Sequence, residues 1–187
     1  MIDFLIQLDT KLFLALNGAH SPFWDSVMSY ASEKLIWLPL YLVIVYFIAR
    51  EYKWKTLWWL LAIVFVVLLA DQVSVHAFKN VFLRLRPCHN PDLSQFIHLV
   101  GRCGGQYGFI SSHAANTFGV AVFLSFLFSK RWFTWGILTW AAFVSYSRIY
   151  LGVHYPGDVL TGAIVGSGVG IAVWFIAKKI FEKYKLI

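Results

Sequence analysis

Five apolar stretches recur along the chain, and each is bounded by charged or polar residues. They are residues 35–49, 57–70, 109–128, 132–147 and 159–177. A helix needs about 20 residues to cross a bilayer. The shorter stretches must therefore include their polar flanks, and the second must continue past Asp71. The pattern predicts an all-α integral membrane bundle with about five transmembrane helices.

The N-terminal segment has a different pattern, with polar residues along one face of a helix and Leu, Ile and Phe on the other. Asp3, Asp9 and Lys11 interrupt the apolar residues, and no basic segment precedes them, which argues against a cleaved signal peptide. We predict an amphipathic helix within residues 1–20 that lies in the membrane interface and ends near Asn17.

Composition agrees with a membrane protein. Hydrophobic residues make up 59% of the 187 positions and charged residues only 13%, whereas about a quarter of a soluble domain is charged. These values exclude a disordered chain, a coiled coil and an ordinary soluble enzyme, and the length suits one domain over residues 1–187. In the last apolar stretch, Gly162, Gly166 and Gly170 recur at every fourth position. This stripe predicts close helix packing within the monomer.

The basic residues flank the apolar stretches, so the net charge of +7 does not indicate nucleic-acid binding. With five crossings, nine of the 16 Lys and Arg residues share one side of the membrane, which the positive-inside rule assigns to the cytoplasm. These nine are Arg50, Lys53, Lys55, Lys130, Arg131, Lys178, Lys179, Lys183 and Lys185.

Four helix ends on the opposite side carry the candidate catalytic and anion-binding residues. They lie in residues 79–87, 109–113, 147–148 and 154–158. Cations, hydroxyls and histidines are the groups that phosphoryl transfer needs, because the phosphate oxygens must be held while a nucleophile and an acid act on opposite sides. We therefore expect a site for a phosphate on the periplasmic or extracellular face.

The spacing of these residues resembles the three-part signature of the type 2 phosphatidic acid phosphatase (PAP2) superfamily. The first and third parts match in residue type and spacing, whereas the middle part has Ile and Ser where the family has Pro and Gly. The three parts are Lys79 with Arg86-Pro87, then Ile110-Ser111-Ser112-His113, then Ser147-Arg148 with His154 and Asp158.

The resemblance implies a metal-independent phosphatase that needs no cofactor. It implies that His154 is the nucleophile and forms a phosphohistidine, that Asp158 orients it, and that His113 protonates the departing lipid oxygen and then activates water. It also implies a phosphate-binding set, in which Ser112 either narrows the pocket or adds a hydroxyl. This set is Lys79, Arg86, Ser111, Ser112 and Arg148.

The implied substrate is a phosphate or diphosphate on a membrane lipid, with undecaprenyl diphosphate as the first prediction. Alternatives are a lipid A phosphatase, a phosphatidylglycerophosphate or phosphatidate phosphatase, and a non-enzymatic lipid-phosphate binder or transporter. A vanadate-dependent haloperoxidase shares a similar site, but its soluble fold conflicts with this composition. We expect the bacterial inner membrane as the location and no obligate protein partner.

Three further residues have open interpretations. Arg84 lies between Lys79 and Arg86, and it is either a third phosphate contact or a headgroup-facing side chain. Cys88 and Cys103 are both expected outside the cytoplasm, as a disulfide or as two free thiols.

Overall fold

A computed structural model of the chain describes residues 2–184, and within them the structure is mostly helical, apart from a mainly irregular connection over residues 83–111. Lys185, one of the nine basic residues above, lies outside these residues. The helices are α1 (Ile2–Gly18), α2 (Pro22–Ser32), α3 (Leu38–Tyr52), α4 (Thr56–Gln72), α5 (Asn80–Phe82), α6 (Ser112–Phe128), α7 (Arg131–Tyr150) and α8 (Pro156–Lys183). The predicted all-α class is confirmed.

α3 and α4 form a hairpin that reverses at Lys53, where the backbone has a φ of 52°. The helix that begins with α4 continues beyond Asp71, as a helix long enough to cross a bilayer must. It runs through a π-helical segment, Val73–Lys79, into the short α5, and it ends at Leu83 in a left-handed conformation. Because the helix extends this far, it delivers Lys79 to the end of the bundle that carries the other motif residues.

The glycine stripe of α8 packs against α6. A Cβ atom on Gly162 would lie 2.6 Å from the Ser111 carbonyl oxygen, and one on Gly166 or Gly170 would overlap the α6 backbone at Ala115 or Gly119. The backbones approach this closely only because glycine has no side chain. The expected packing within the monomer is confirmed, and it fixes the start of α6 beside the start of α8.

Aromatic and aliphatic side chains from α4, α6 and α8 fill the core. Trp59 is buried and stacks on Trp174 with ring centroids 5.2 Å apart, and Phe123 meets both rings edge-on. Large apolar side chains also point outward. They include Leu42, Val43, Phe47, Leu61, Val64, Phe65, Leu68, Leu160, Ile164 and Phe175. Outward apolar faces on several helices are typical of a surface covered by lipid.

Within residues 2–184, length and composition alone identify two helical stretches that could cross a membrane, Leu35–Phe82 and Pro156–Lys183. The first of them contains both α3 and α4, which the reversal at Lys53 separates. The apolar helix α6 has 17 residues and α7 has 20.

The sequence did not predict α2, which begins at the dipeptide Ser21-Pro22, a signal for a helix start. The end of α1 is fixed by Asn17, whose buried amide donates to the carbonyl oxygens of His98 (2.8 Å) and Tyr150 (2.7 Å) and accepts from the His98 amide (2.8 Å). These bonds attach the long 87–108 connection to α1 and α7.

Candidate active site

The first motif spans a helix end and an extended segment. Lys79 ends the π-helical segment, and its Nζ donates to the Ser112 hydroxyl at 2.7 Å. Arg86 follows Leu85, which pairs with Tyr107 in an antiparallel bridge. The Arg86 guanidinium donates to the carbonyl oxygens of Tyr107 (3.3 Å) and Cys103 (3.4 Å). The returning connection therefore holds Arg86 in place.

A disulfide between Cys88 and Cys103 closes this connection, with the two Cα atoms 5.9 Å apart. Of the two alternatives, the structure contains the disulfide. The bond lies beside Arg86, since the Cys103 carbonyl oxygen accepts a hydrogen bond from that side chain. The loop that carries part of the site is thus fixed covalently as well as by hydrogen bonds.

The middle motif forms the start of α6. Ser111 is fully buried and is the N-cap, with its hydroxyl accepting from the Ala114 amide at 3.5 Å. Its own amide donates to the Asp158 carbonyl oxygen at 3.0 Å, which joins the starts of α6 and α8. Ser112 contacts Lys79, so a hydroxyl is present where the family pattern has glycine. The side chain of His113 lines a cavity next to Ser112.

The third motif places His154 between α7 and α8. The His154 amide donates to the Arg148 carbonyl oxygen at 3.2 Å. The imidazole is 2% exposed, and its Nδ1 lies 3.4 Å from Asp158 Oδ2. Because Nδ1 faces the carboxylate, Nε2 is the ring nitrogen available to a substrate. The Tyr155 amide also donates to Asp158 Oδ2, at 3.0 Å.

The electrostatic environment of His154 favours the neutral imidazole. Burial lowers the pKa of His154 well below its ordinary value, and the positive charges of Arg86, Arg148 and Lys79 lower it further. A neutral imidazole keeps a lone pair on nitrogen and can attack phosphorus, whereas an imidazolium cannot. The same three cations would attract and neutralise a phosphate beside the ring.

Arg148 is held at the end of α7, with Nη1 donating to the hydroxyl of Ser32, the last residue of α2. Its Nε is buried and has no hydrogen-bond partner in the described part of the chain. A buried donor without a partner is costly. A phosphate oxygen beside Arg148 would remove that cost.

Gly108 is a site residue that the sequence analysis missed. A Cβ atom at this position would lie 2.9 Å from Arg86 Cγ, 3.2 Å from Asp158 Oδ2 and 3.5 Å from His154 Nδ1. Glycine is therefore needed for Arg86 and His154 to lie side by side. In the sequence, the only sign of its importance is its place two residues before the middle motif.

Arg84 fits neither interpretation derived from the sequence. Its Nη1 donates to Asp158 Oδ1 at 2.9 Å and its Nη2 to Asp9 Oδ2 at 2.7 Å. Its terminal nitrogens are thus paired with two carboxylates, a role that neither interpretation included. Asp9, which the sequence analysis treated only as part of the N-terminal helix, is its second partner.

An apolar cavity of about 410 Å³ adjoins the motif residues. Its walls come from α3, α4, α6 and α7, and its polar lining residues include Ser32, Ser112 and His113. Ser112 is hydrogen-bonded to Lys79 and Ser32 to Arg148, so the cavity adjoins two of the three cations near His154.

No group of three or more His, Cys, Asp or Glu side chains within residues 2–184 is arranged to hold a metal ion. Metal-independent hydrolysis remains a prediction.

The fold and these motifs together define a phosphatase of the PAP2 type. Residues 56–182 match the model of the PAP2 superfamily, and the chain belongs to this family. It is an enzyme, a bacterial membrane lipid phosphatase.

Among curated relatives, a lipid A 4'-phosphatase of Bacteroides thetaiotaomicron is 46% identical, over 96% of this chain and 81% of the relative. An undecaprenyl-diphosphatase of Sulfolobus acidocaldarius is 29% identical, over 87% of this chain and 75% of the relative. Among solved structures, Aquifex aeolicus LpxE superposes with a TM-score of 0.65 at 26% identity, over 89% of this chain and 94% of the other.

Proposed function

We propose that this enzyme hydrolyses a phosphate monoester of lipid A through a covalent histidine intermediate and releases inorganic phosphate. The observation that carries the reaction is the grouping of Lys79, Arg86 and Arg148 near the buried imidazole of His154, beside an apolar cavity. The choice of lipid A over undecaprenyl diphosphate, our first prediction, is supported by the relative at 46% identity against the relative at 29%.

In the first step, His154 Nε2 attacks phosphorus and the P–O bond to the lipid breaks. The departing oxygen takes a proton from His113, and the products are a lipid alcohol and a phosphohistidine. In the second step, His113 accepts a proton from water, and the water oxygen attacks phosphorus. The N–P bond breaks, and inorganic phosphate leaves with His154 neutral again.

The cations stabilise the charge that develops on the phosphoryl oxygens in both steps. Lys79, Arg86 and Arg148 are the phosphate-binding residues in this proposal, with Ser112 fixing Lys79 at 2.7 Å. Ser111 contributes through the N-terminus of α6, since its hydroxyl already serves as the cap of that helix. Asp158 orients His154 through Nδ1.

We further propose five transmembrane helices, α3, α4 with its extension, α6, α7 and α8, in a single domain. α1 would lie in the interface, which is supported by an exposed apolar stripe. The stripe consists of Phe4, Leu5, Leu8 and Leu12. A periplasmic site in the inner membrane is supported by the disulfide beside Arg86, because disulfides persist in oxidising compartments.

The test is phosphate release by the purified enzyme from four lipids: lipid A, undecaprenyl diphosphate, phosphatidate and phosphatidylglycerophosphate. We expect the highest kcat/KM on lipid A and no release from any lipid by His154→Ala. Faster turnover of undecaprenyl diphosphate would restore the first prediction. Release that persists in His154→Ala would refute the covalent mechanism.

A second measurement tests the intermediate directly. Brief reaction with ³²P-labelled substrate, followed by quenching in alkali, should leave label on the wild-type protein that acid removes. His154→Ala should carry no label, because it lacks the nucleophile that forms the intermediate. Label that resists acid would indicate a phosphoester in place of the phosphohistidine.

A further inference from the structure

Arg84 differs from the other cations of the site because both ends of its guanidinium bind carboxylates. One nitrogen contacts Asp158 Oδ1 at 2.9 Å, and the other contacts Asp9 Oδ2 at 2.7 Å. Its Cζ atom also lies 4.0 Å from the centre of the Tyr155 ring. Arg84 thus joins α1 to the start of α8, and each of its terminal nitrogens already donates to a carboxylate.

Asp9 has a second partner in the same region. Its Oδ1 accepts from the Gly157 amide at 2.7 Å. That amide belongs to the first turn of α8, where N–H groups have no acceptor within the helix. A carboxylate on α1 therefore caps the N-terminus of a different helix, an interaction that the helix dipole favours.

Gly157 allows this contact. A Cβ atom at position 157 would lie 2.7 Å from Asp9 Oδ2, so any other residue would push the Asp9 carboxylate out of this contact. The dipeptide Pro156-Gly157 opens α8 immediately after the loop that carries His154. The docking point of α1 is thus within three residues of the imidazole.

Asp158 needs a charged partner. Its side chain is fully buried, and a buried carboxylate is stable only when paired and hydrogen-bonded. His154 cannot supply the charge while it is neutral. Arg84 supplies it at Oδ1, which leaves Oδ2 directed at the Tyr155 amide and at His154 Nδ1.

We propose that Asp9 and Arg84 are positioning residues, through which the docking of the N-terminal helix holds Asp158 against the nucleophile His154. This inference rests on the proposed function, since it requires His154 to be the nucleophile. It assigns α1 a part in catalysis although no residue of α1 belongs to the three motifs.

The experiment compares Asp9→Asn and Arg84→Gln with the wild-type enzyme, on whichever of the four lipids above the wild type hydrolyses fastest. Each substitution removes one charge: asparagine keeps the shape of Asp9, and glutamine shortens Arg84 but keeps a polar end. Asp3→Asn, on the exposed part of α1, and Arg102→Gln, an exposed arginine of the 87–108 connection, are matched controls. Steady-state kcat and KM are measured for each variant, with melting temperature as the check on folding.

We expect kcat to fall about tenfold or more in Arg84→Gln, because a small displacement of a catalytic group is costly. Asp9→Asn should lower kcat by a smaller factor, and KM should not change in either, because the phosphate-binding residues are untouched. The double variant should be no slower than Arg84→Gln alone, since both residues act through Asp158. Both controls should match the wild type.

Three results would overturn the inference. They are an unchanged kcat in Asp9→Asn, a raised KM with unchanged kcat in Arg84→Gln, and losses that multiply in the double variant. If Arg84→Gln does not fold, Arg84→Lys replaces it; we expect it to recover part of kcat, because lysine keeps the charge without the bidentate bridge. If His154→Ala and Asp158→Asn retain activity, the proposed function itself fails. If they are inactive while Asp9→Asn is normal, only this inference fails.

Discussion

The packing of α8 against α6 can be tested with two glycines that lie only two positions apart. At Gly166 an added Cβ would overlap the backbone of Ala115, which cannot rotate away as a side chain would. At Gly168 an added Cβ would meet nothing within 4 Å. Alanine at these two positions is thus the same chemical change in two different surroundings.

For Gly166→Ala, we expect the helices to separate at a cost of about 2 kcal/mol, within the usual range for overpacking. In a chain of this size, that cost lowers the melting temperature by about 4 to 8 °C. For Gly168→Ala, we expect an increase of about 1 to 3 °C, because alanine restricts the unfolded chain and favours a helix.

The assay is thermal unfolding of both purified variants in the same detergent, with phosphatase activity measured in parallel. Gly166→Ala should also lose activity, because α6 and α8 carry His113 and Asp158. Equal melting temperatures for the two variants would mean that the helices are not in backbone contact at Gly166. The reasoning about the glycine stripe would then be wrong.

Three other outcomes follow from particular contacts. Cys88→Ser/Cys103→Ser should lower the free energy of unfolding by about 3 kcal/mol, as expected for a loop of this length, and dithiothreitol should lower the melting temperature of the wild type only. His154→Gln should flatten the dependence of melting temperature on pH between about 6.5 and 5. Because the pKa of His154 is lowered in the folded state, only the unfolded chain protonates this imidazole below about pH 6.5. The free energy of unfolding therefore falls as the pH falls, by up to about 1.4 kcal/mol per pH unit. The same dependence on pH in His154→Gln and in the wild type would contradict a neutral imidazole. Asn17→Ala removes three hydrogen bonds and should lower the free energy of unfolding by about 2 to 4 kcal/mol. Amide hydrogen exchange should become faster in the 87–108 connection than in α6. An equal increase in both segments would contradict the role given to Asn17.

Much of the helical bundle could be predicted because its signal is local. An apolar run with charged ends predicts a transmembrane helix regardless of the segments around it. The runs at 109–128 and 132–147 correspond to α6 and α7. α6 begins three residues later than predicted, because Phe109 to Ser111 form a non-helical approach in which Ser111 is the cap. α2 has only 11 residues, too few to give a membrane pattern.

The motif residues could be placed on one face because alternating crossings bring every second connection to the same side. Motif spacing also reflects local geometry, such as the start of α8, where the Asp158 carboxylate accepts from the Tyr155 amide and faces His154. The roles of Asn17 in holding the 87–108 connection and of Gly108 beside His154 were not predicted, for a common reason. Their importance depends on which backbone lies beside them, and sequence spacing does not carry that information.

Arg84 and Arg86 illustrate the limit most clearly, since they share a residue type and lie two positions apart. Their segment is extended at Leu85, so the two side chains leave the backbone on the same side. The sequence therefore suggests one role for both. Arg84 differs because α1 brings Asp9 to it from 75 residues away. Within residues 2–184, the hydrogen bonds of Arg86 go to the backbone carbonyl oxygens of Tyr107 and Cys103. A guanidinium bonded to neutral acceptors still has its charge available to an anion, and one between two carboxylates does not. The partners supplied by the fold decide which arginine can bind phosphate.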